Sequence, residues 1–357
     1  MIAFVVSFVS PHTLPLGREL AKYQDVVFIN TMPLTEERKR MGYDVGDEKV
    51  NICSYNDDPV KCQKIIDTSE CVIYAGSFGF NMLKNRLKKD KLTLIMHERI
   101  FKKGVIKLLD PRTWELLDFC HRVQSKNVYF LSIGKNAAKD FILLGFNKNK
   151  ILNFGYFPDV TYGQIISKKL NNDTCKILWV GRMVDFKKPI LALKALRKLP
   201  PKYVLTMIGD GKLYDKAVKY AEKHNICVRF LGNVAHDEVV DCMRSSHILL
   251  STSNKGEGWG AVINEGMNSG CAIVCSDQIG CYGTLADDAN SVAFRSGSVE
   301  SIVQAIITAD ARKEELSRKS IHTVVNEYNP SIAAERLIAF IEGGKIADSG
   351  VCSRFFE

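Results

Sequence analysis

The chain has no apolar run near the roughly 18–20 residues that a membrane helix requires, no C-x-x-C pair, and no internal repeat or low-complexity tract. A membrane-spanning helix, a thioredoxin-type redox motif and a solenoid are thereby excluded. Its eleven cysteines are odd in number and irregularly spaced, which fits a reduced, cytoplasmic chain better than a disulfide framework. Cys271, Cys275 and Cys281 have apolar flanks and no histidine close by, so they read as small buried hydrophobes, and no metal site is expected. The opening "MIAFVVSFVSPH" lacks a basic leader and a small-residue cleavage site, and predicts a buried first strand.

The composition is that of an ordinary globular protein, 46% hydrophobic and 25% charged. At 357 residues the chain exceeds the size at which one core usually divides, so two domains are expected. The formal charge of +9 is uneven: between Lys84 and Lys107 nine basic residues face two acidic ones. This run reads either as a solvated face or as a surface for an anionic membrane or substrate. No nucleic-acid-binding module accompanies it, so nucleic acid is not expected as a partner.

Strand-like runs alternate with helical stretches: "IAFVVSFV", "DVVFIN", "CVIYAG", "LTLIMH", "VYFLSI" and "ILNFGY". After the polar passage "SKKLNNDTC" the pattern restarts with "KILWVG", "YVLTMIG", "VRFLG", "HILLSTS", "AIVCS" and "SVAF". Such alternation predicts an α/β fold with parallel sheets covered on both faces. The predicted division is an N-terminal Rossmann-like domain over 1–160, a linker over 161–174, a C-terminal Rossmann-like domain over 175–328, and over 329–357 a helix that packs back on the first domain, with a tail. Ligands of open parallel sheets bind beyond the carboxyl ends of strands, so the two domains are expected to face each other across a cleft.

Each motif of the second half follows a strand. "VGRMVDFKKP" places Arg182 and Lys187 where a planar fork and a point charge could hold a diphosphate. "IGDGK" offers Gly209 and Gly211 for a turn with outward N–H groups, and Asp210 as a cap for the next helix; it reads equally as a turn alone. "KGEGWGAVINEGMNSG" sets Glu257 at a strand-to-helix turn and Glu265 on the helix. If most of that spacing is helical, the carboxylates stand about 10–12 Å apart, at roughly 1.5 Å per residue. The helix N-terminus between them suits a phosphate.

In this order the motifs resemble the nucleotide-sugar-binding half of family-4 glycosyltransferases, retaining enzymes of the GT-B fold. The resemblance covers roughly residues 176–342, through "YNPSIAAERLIAFI", and its most specific element is the E-x7-E spacing of Glu257 and Glu265. The first half is similar in outline only. The resemblance implies a hexosyltransferase-type, metal-independent enzyme that moves a sugar from a nucleotide diphosphate donor, UDP before GDP, to a hydroxyl of a glycan or lipid-linked acceptor. Bacterial surface polysaccharide or glycoconjugate synthesis is the implied setting, in the cytoplasm or at the inner face of the membrane. No cofactor is implied, the nucleotide sugar being a substrate, and the chain contains no D-x-D triplet for the metal-diphosphate site of the other major transferase fold.

By the same resemblance Glu257 contacts the donor sugar, Glu265 the ribose hydroxyls, and Arg182 and Lys187 neutralise the diphosphate. Backbone N–H groups around Gly258, Trp259 and Gly260 hold sugar and phosphate, and Gly209 and Asp210 line the donor site. The catalytic set would be His97, Glu257, Arg182 and Lys187, with His12, Glu98 and Arg99 toward the acceptor. His97 also reads as a strand-end histidine satisfied by solvent or Glu98. Two departures stand out: "SFVSPHTLPLG" has only Gly17 where the family often has paired glycines, and Lys188 stands where it usually has glycine. The alternatives are a transferase-like partner subunit without activity and a sugar-nucleotide 2-epimerase.

Overall fold

The computed structural model describes residues 1–36, 50–76, 80–102, 104–160 and 174–355. Two compact units result: residues 1–159 with 328–357, and residues 160–327. The passage read as a linker, 161–174, lies outside the described residues except for its last position.

The first unit is built on a seven-stranded sheet of β1 (Ile2–Val6), β2 (Val26–Asn30), β3 (Asn51–Ser54), β4 (Cys71–Ala75), β5 (Thr93–His97), β6 (Val128–Ile133) and β7 (Ile151–Phe154). Its order is β3-β2-β1-β4-β5-β6-β7 with every pair parallel. Six of these strands coincide with the apolar runs of the sequence. The seventh, β3, is a short edge strand of half-exposed and exposed residues, and so gives no apolar signal. Helix α1 (Leu14–Leu20) follows β1; a Cβ on its Gly17 would lie 2.3 Å from the ring of Phe28. Gly17 thus serves close helix-to-strand packing. Helices α2 (Pro59–Thr68), α3 (Lys84–Lys88), α4 (Pro111–Arg122) and α5 (Lys135–Leu143) complete the crossovers. Asp58 and Asp110 cap α2 and α4 by accepting from Lys61 N and Arg112 N.

The basic run is not one face. Arg86 on α3 is fully buried and donates from Nε to Thr93 Oγ1 (3.0 Å), from Nη1 to the carbonyls of Ile66 (3.0 Å) and Ser69 (2.6 Å), and from Nη2 to those of Glu70 (2.8 Å) and Leu92. It acts as an internal staple that satisfies chain ends around β4 and β5. Lys91 reaches the Thr68 carbonyl, Arg99 faces Asp140, Lys102 pairs with Glu98, and Lys107 pairs with Asp110. Lys84, Lys88 and Lys89 stay exposed, and Lys103 lies outside the described residues. Among the described residues the run is not one continuous charged surface: Lys84, Lys88 and Lys89 are exposed, and Lys102 is exposed but paired with Glu98.

The second unit carries β8 (Cys175–Val180), β9 (Tyr203–Ile208), β10 (Val228–Gly232), β11 (Ile248–Ser251), β12 (Ala272–Ser276) and β13 (Ser291–Phe294). All pairs are parallel in the order β10-β9-β8-β11-β12-β13. Between them run α6 (Pro189–Leu196), α7 (Tyr214–Lys223), α8 (His236–Ser245), α9 (Ala261–Asn268), α10 (Val299–Ala311) and α11 (Lys313–Asn326). β8 and β11 are nearly all buried and apolar, as a sheet covered on both faces demands. The order reverses between β8 and β11, which sets the loops after these two strands at the switch point of the sheet, where ligands of open parallel sheets bind.

The chain then returns to the first unit. Helix α12 (Pro330–Ile341), capped by Asn329, packs against α1. The tail adds to the edge of β7, with Asn153 N donating to Ser353 O (2.8 Å) and Cys352 N to Asn153 O (2.8 Å). Among the described residues no helix is long and apolar enough to cross a membrane.

Candidate functional site

The loops after β8 and β11 are joined along their length. Trp179, buried at the end of β8, donates Nε1–H to Thr252 Oγ1 at 2.9 Å, and that hydroxyl donates to the carbonyl of Lys187 at 2.7 Å. Asn254 N donates to Phe186 O at 2.8 Å, and a Cβ on Gly256 would lie 2.8 Å from Phe186 Cβ. These contacts bring the Arg182–Lys187 motif against the first glutamate. Lys187 forms an ion pair with Glu257, whose Oε2 also accepts from Ser253 Oγ at 3.2 Å. Both side chains of the pair are largely withdrawn from solvent.

Lys187 also acts on the second glutamate. Burial pushes the Glu265 carboxyl above its ordinary value, while the charges of His236 and Lys187 pull it back down. The Lys187 ammonium thus pairs with Glu257 and lies near enough for its charge to act on Glu265. His236, the first residue of α8, was not singled out from the sequence; a lone histidine inside "GNVAHDEV" gives no spacing signal. Arg182 is exposed and pairs with no carboxylate among the described residues. The helix after Glu257 begins only at Ala261, so half of the eight-residue spacing lies in the turn and the assumption of a mostly helical separation fails.

The turn itself is fixed by backbone crowding. Gly260 caps α9 at φ +99°, and a Cβ on Gly280, in the loop after β12, would lie 1.7 Å from Gly258 O. Cys281 N donates to Trp259 O at 3.0 Å. The Trp259 ring is buried with Nε1–H on Asn264 Oδ1 at 2.8 Å, so only its backbone faces the turn. Cys271, Cys275 and Cys281 are all fully buried.

"IGDGK" does something other than expected. Gly209 N donates to Gly232 O (2.7 Å) and Gly211 N to Asp210 Oδ1 (2.6 Å), so neither amide points outward. Asp210 does not cap α7, whose N-cap is Leu213 without a side-chain bond. Instead the loop braces its neighbour: Met183 N donates to Asp210 O at 2.7 Å, and a Cβ on Gly209 would lie 2.1 Å from Gly181 O. Lys188 adopts a left-handed conformation, φ +53° and ψ +48°, at the N-cap of α6. That backbone is what glycine takes without cost, which explains the family's residue there. A groove of about 430 Å³ lined by Lys188, Leu213 and Tyr220 lies between α6 and α7, away from the two glutamates.

In the first unit, residues from three strand ends meet. His97 ends β5 and is half-buried, its Nδ1 on Glu98 O at 2.6 Å. A carbonyl accepts only, so Nδ1 carries the proton in the neutral ring. Burial lowers the imidazole's basicity, outweighing the opposite pull of Glu98. Burial raises the Glu98 carboxyl, but Lys102 and the Tyr156 hydroxyl more than offset that and hold it below its ordinary value. Tyr156, just beyond β7, lies tilted against His12 at 5.3 Å between ring centres and so, with its bond to Glu98, links the loops after β1 and β5. Sequence reading missed Tyr156, which the topology alone brings there. Arg99 is set apart from this group: its guanidinium turns to Asp140 on α5 (3.5 Å), whose other oxygen accepts from Phe101 N (2.8 Å).

Comparison with known proteins bears on these loops. Residues 164–322 match the family model of the glycosyl transferases group 1. The second unit is thus similar in sequence to the group 1 glycosyl transferases. An uncharacterized glycosyltransferase of Methanocaldococcus jannaschii is 28% identical over 246 residues, 64% of this chain and 61% of that protein. A second one from the same organism is 27% identical over 162 residues, 45% of each chain. The chain thus matches less than two thirds of the length of these relatives. Among solved structures, Anabaena HepE in complex with UDP superposes with a TM-score of 0.73 at 15% identity, covering 96% of this chain and 99% of that one. WaaG, a glycosyltransferase involved in lipopolysaccharide biosynthesis, gives 0.65 at 16% identity, covering 96% and 100%. The fold is GT-B, with two parallel-sheet, Rossmann-like units.

Proposed function

We propose that the protein is a retaining, metal-independent glycosyltransferase that uses a nucleotide diphosphate sugar, a UDP-sugar first. The observation that carries this reading is Lys187, paired with Glu257 and felt by Glu265. A donor bound here exchanges that carboxylate pairing for its diphosphate: Lys187 and the exposed Arg182 take the phosphates, Glu265 the ribose, and Glu257 the sugar. The bond between the sugar's anomeric carbon and the diphosphate oxygen breaks, and one to the acceptor oxygen forms on the same face. The acceptor proton passes to the departing phosphate. Arg182 and Lys187 stabilise the charge that develops there, where a fixed cation lowers the barrier most. The absence of a D-x-D triplet from the sequence supports cations in place of a metal. In the first unit His97, neutral and fixed in one tautomer, with His12 and Glu98, is assigned to the reacting sugar and acceptor; a glycan or lipid-linked hydroxyl is the acceptor class.

Thermal-shift screening against a panel of nucleotide sugars, followed by turnover with the best donor, tests the reading. Arg182→Ala should lower turnover by on the order of 100-fold, the usual effect of removing one preorganised charge from a transition state. Unchanged turnover, or no stabilisation by any nucleotide diphosphate, refutes the assignment.

A further inference from the structure

Four of the chain's exposed large hydrophobic side chains fall within nine residues: Ile106 (68% exposed), Leu108 (39%), Leu109 (83%) and Trp114 (61%). They project from a 3-10 turn, Val105–Leu109, and from the first turn of α4. The inward face of α4 is already occupied, with Thr113, Leu116, Phe119 and Cys120 buried. Among the described residues, nothing in the unit's own core covers the outward four. Lys102, Lys107 and Arg112 frame the group, but each is paired with Glu98 or Asp110. The projection follows β5 directly, at the end of the sheet that carries His97 and Glu98.

We propose that this projection is a contact surface for a phospholipid bilayer. Tryptophan and aliphatic side chains framed by lysine and arginine suit the boundary between headgroups and acyl chains. A second copy of the chain fits less well. Four side chains offer far less than the roughly 800 Å² per partner of a stable interface. Because those cations are internally paired, insertion of apolar side chains dominates and binding should resist salt. That sets this surface apart from the exposed lysines of α3, whose attraction would fade with ionic strength. Under the transferase reading, on which this clause alone rests, the projection brings a lipid-linked acceptor to the His97 end of the sheet.

The protein contains its own reporter. Of its three tryptophans, Trp179 and Trp259 are buried and only Trp114 is exposed. The experiment uses the full chain with vesicles of phosphatidylcholine and phosphatidylglycerol, with and without brominated acyl chains, at low and high salt. Tryptophan emission should shift to the blue and be quenched by the brominated lipid, and the protein should sediment with the vesicles at both salt levels. Ile106→Ser with Leu109→Ser should reduce partition by about tenfold or more, since each removes an aliphatic side chain from the inserted surface. Both sites are exposed, so the melting curve should not move. Lys84→Gln, Lys88→Gln and Lys89→Gln together should leave partition intact. The proposal is overturned by unaltered emission with protein left in the supernatant, by sedimentation equal in the Ile106/Leu109 variant, or by a concentration-dependent dimer that Leu109→Ser abolishes. No arm measures turnover, so its failure leaves the transferase reading separately open to test.

Discussion

Replacing Lys187 by methionine keeps the length of the side chain and removes its charge, leaving Glu257 with the Ser253 hydroxyl at 3.2 Å as its remaining polar contact. Each member of the pair is only 15% exposed, so solvent cannot take over the lost role. Breaking a buried pair on one side costs about 3–5 kcal/mol. With residual exposure the expected destabilisation is about 2–3 kcal/mol. Urea unfolding of the full chain should show it as a lower midpoint with unchanged slope. The double variant Lys187→Met with Glu257→Leu should recover most of it, since no charge is then left unpaired. The reasoning fails if the single variant stays within about 0.5 kcal/mol of the parent, the usual range of an exposed site, or if the double variant is no more stable than the single.

Three further outcomes follow from the same coordinates. Burial raises the Glu265 carboxyl, so the folded state holds its proton more tightly than the unfolded state. Stability from this group therefore falls as pH rises from the ordinary carboxylate value to the raised one, and Glu265→Gln should gain on the parent across that window in unfolding titrations; a pH-independent difference contradicts it. Lys188→Gly should stabilise by about 0.5–1 kcal/mol by relieving the left-handed backbone, and Lys188→Val should destabilise by at least as much, both read by thermal unfolding. Arg86→Met should cost about 3–5 kcal/mol, since several carbonyls lose their donors at once; a variant as stable as the parent would show that water enters freely there.

The strands of both sheets were legible because covered parallel strands write themselves as continuous apolar runs, and β3 was not because an edge strand need not be apolar. The glutamate turn and the Arg182–Lys187 motif were legible as short motifs at strand ends. What joins them was not: the Trp179–Thr252–Lys187 chain spans more than seventy positions of sequence, and no local pattern announces a hydroxyl shared by two loops. The glycines of "IGDGK" misled, because the sequence shows that a backbone can approach closely but not whether it meets a ligand or another loop. Arg86 misled for a related reason: a count of charges along the chain does not show which ones turn inward.

The shared Thr252 hydroxyl has a consequence for anyone exchanging these loops between proteins of this fold. The loop after β11 supplies donors for the carbonyls of Phe186 and Lys187, and the loop after β8 supplies the ammonium that neutralises Glu257. Grafting the glutamate turn of another enzyme by itself would carry half of a lock to a foreign key. The smallest piece that can be transplanted intact is discontinuous: residues 179–188 together with 252–260, with the 279–281 backbone that seats the turn. Under the proposed function, a change of donor preference by loop exchange has to move all three segments as one part.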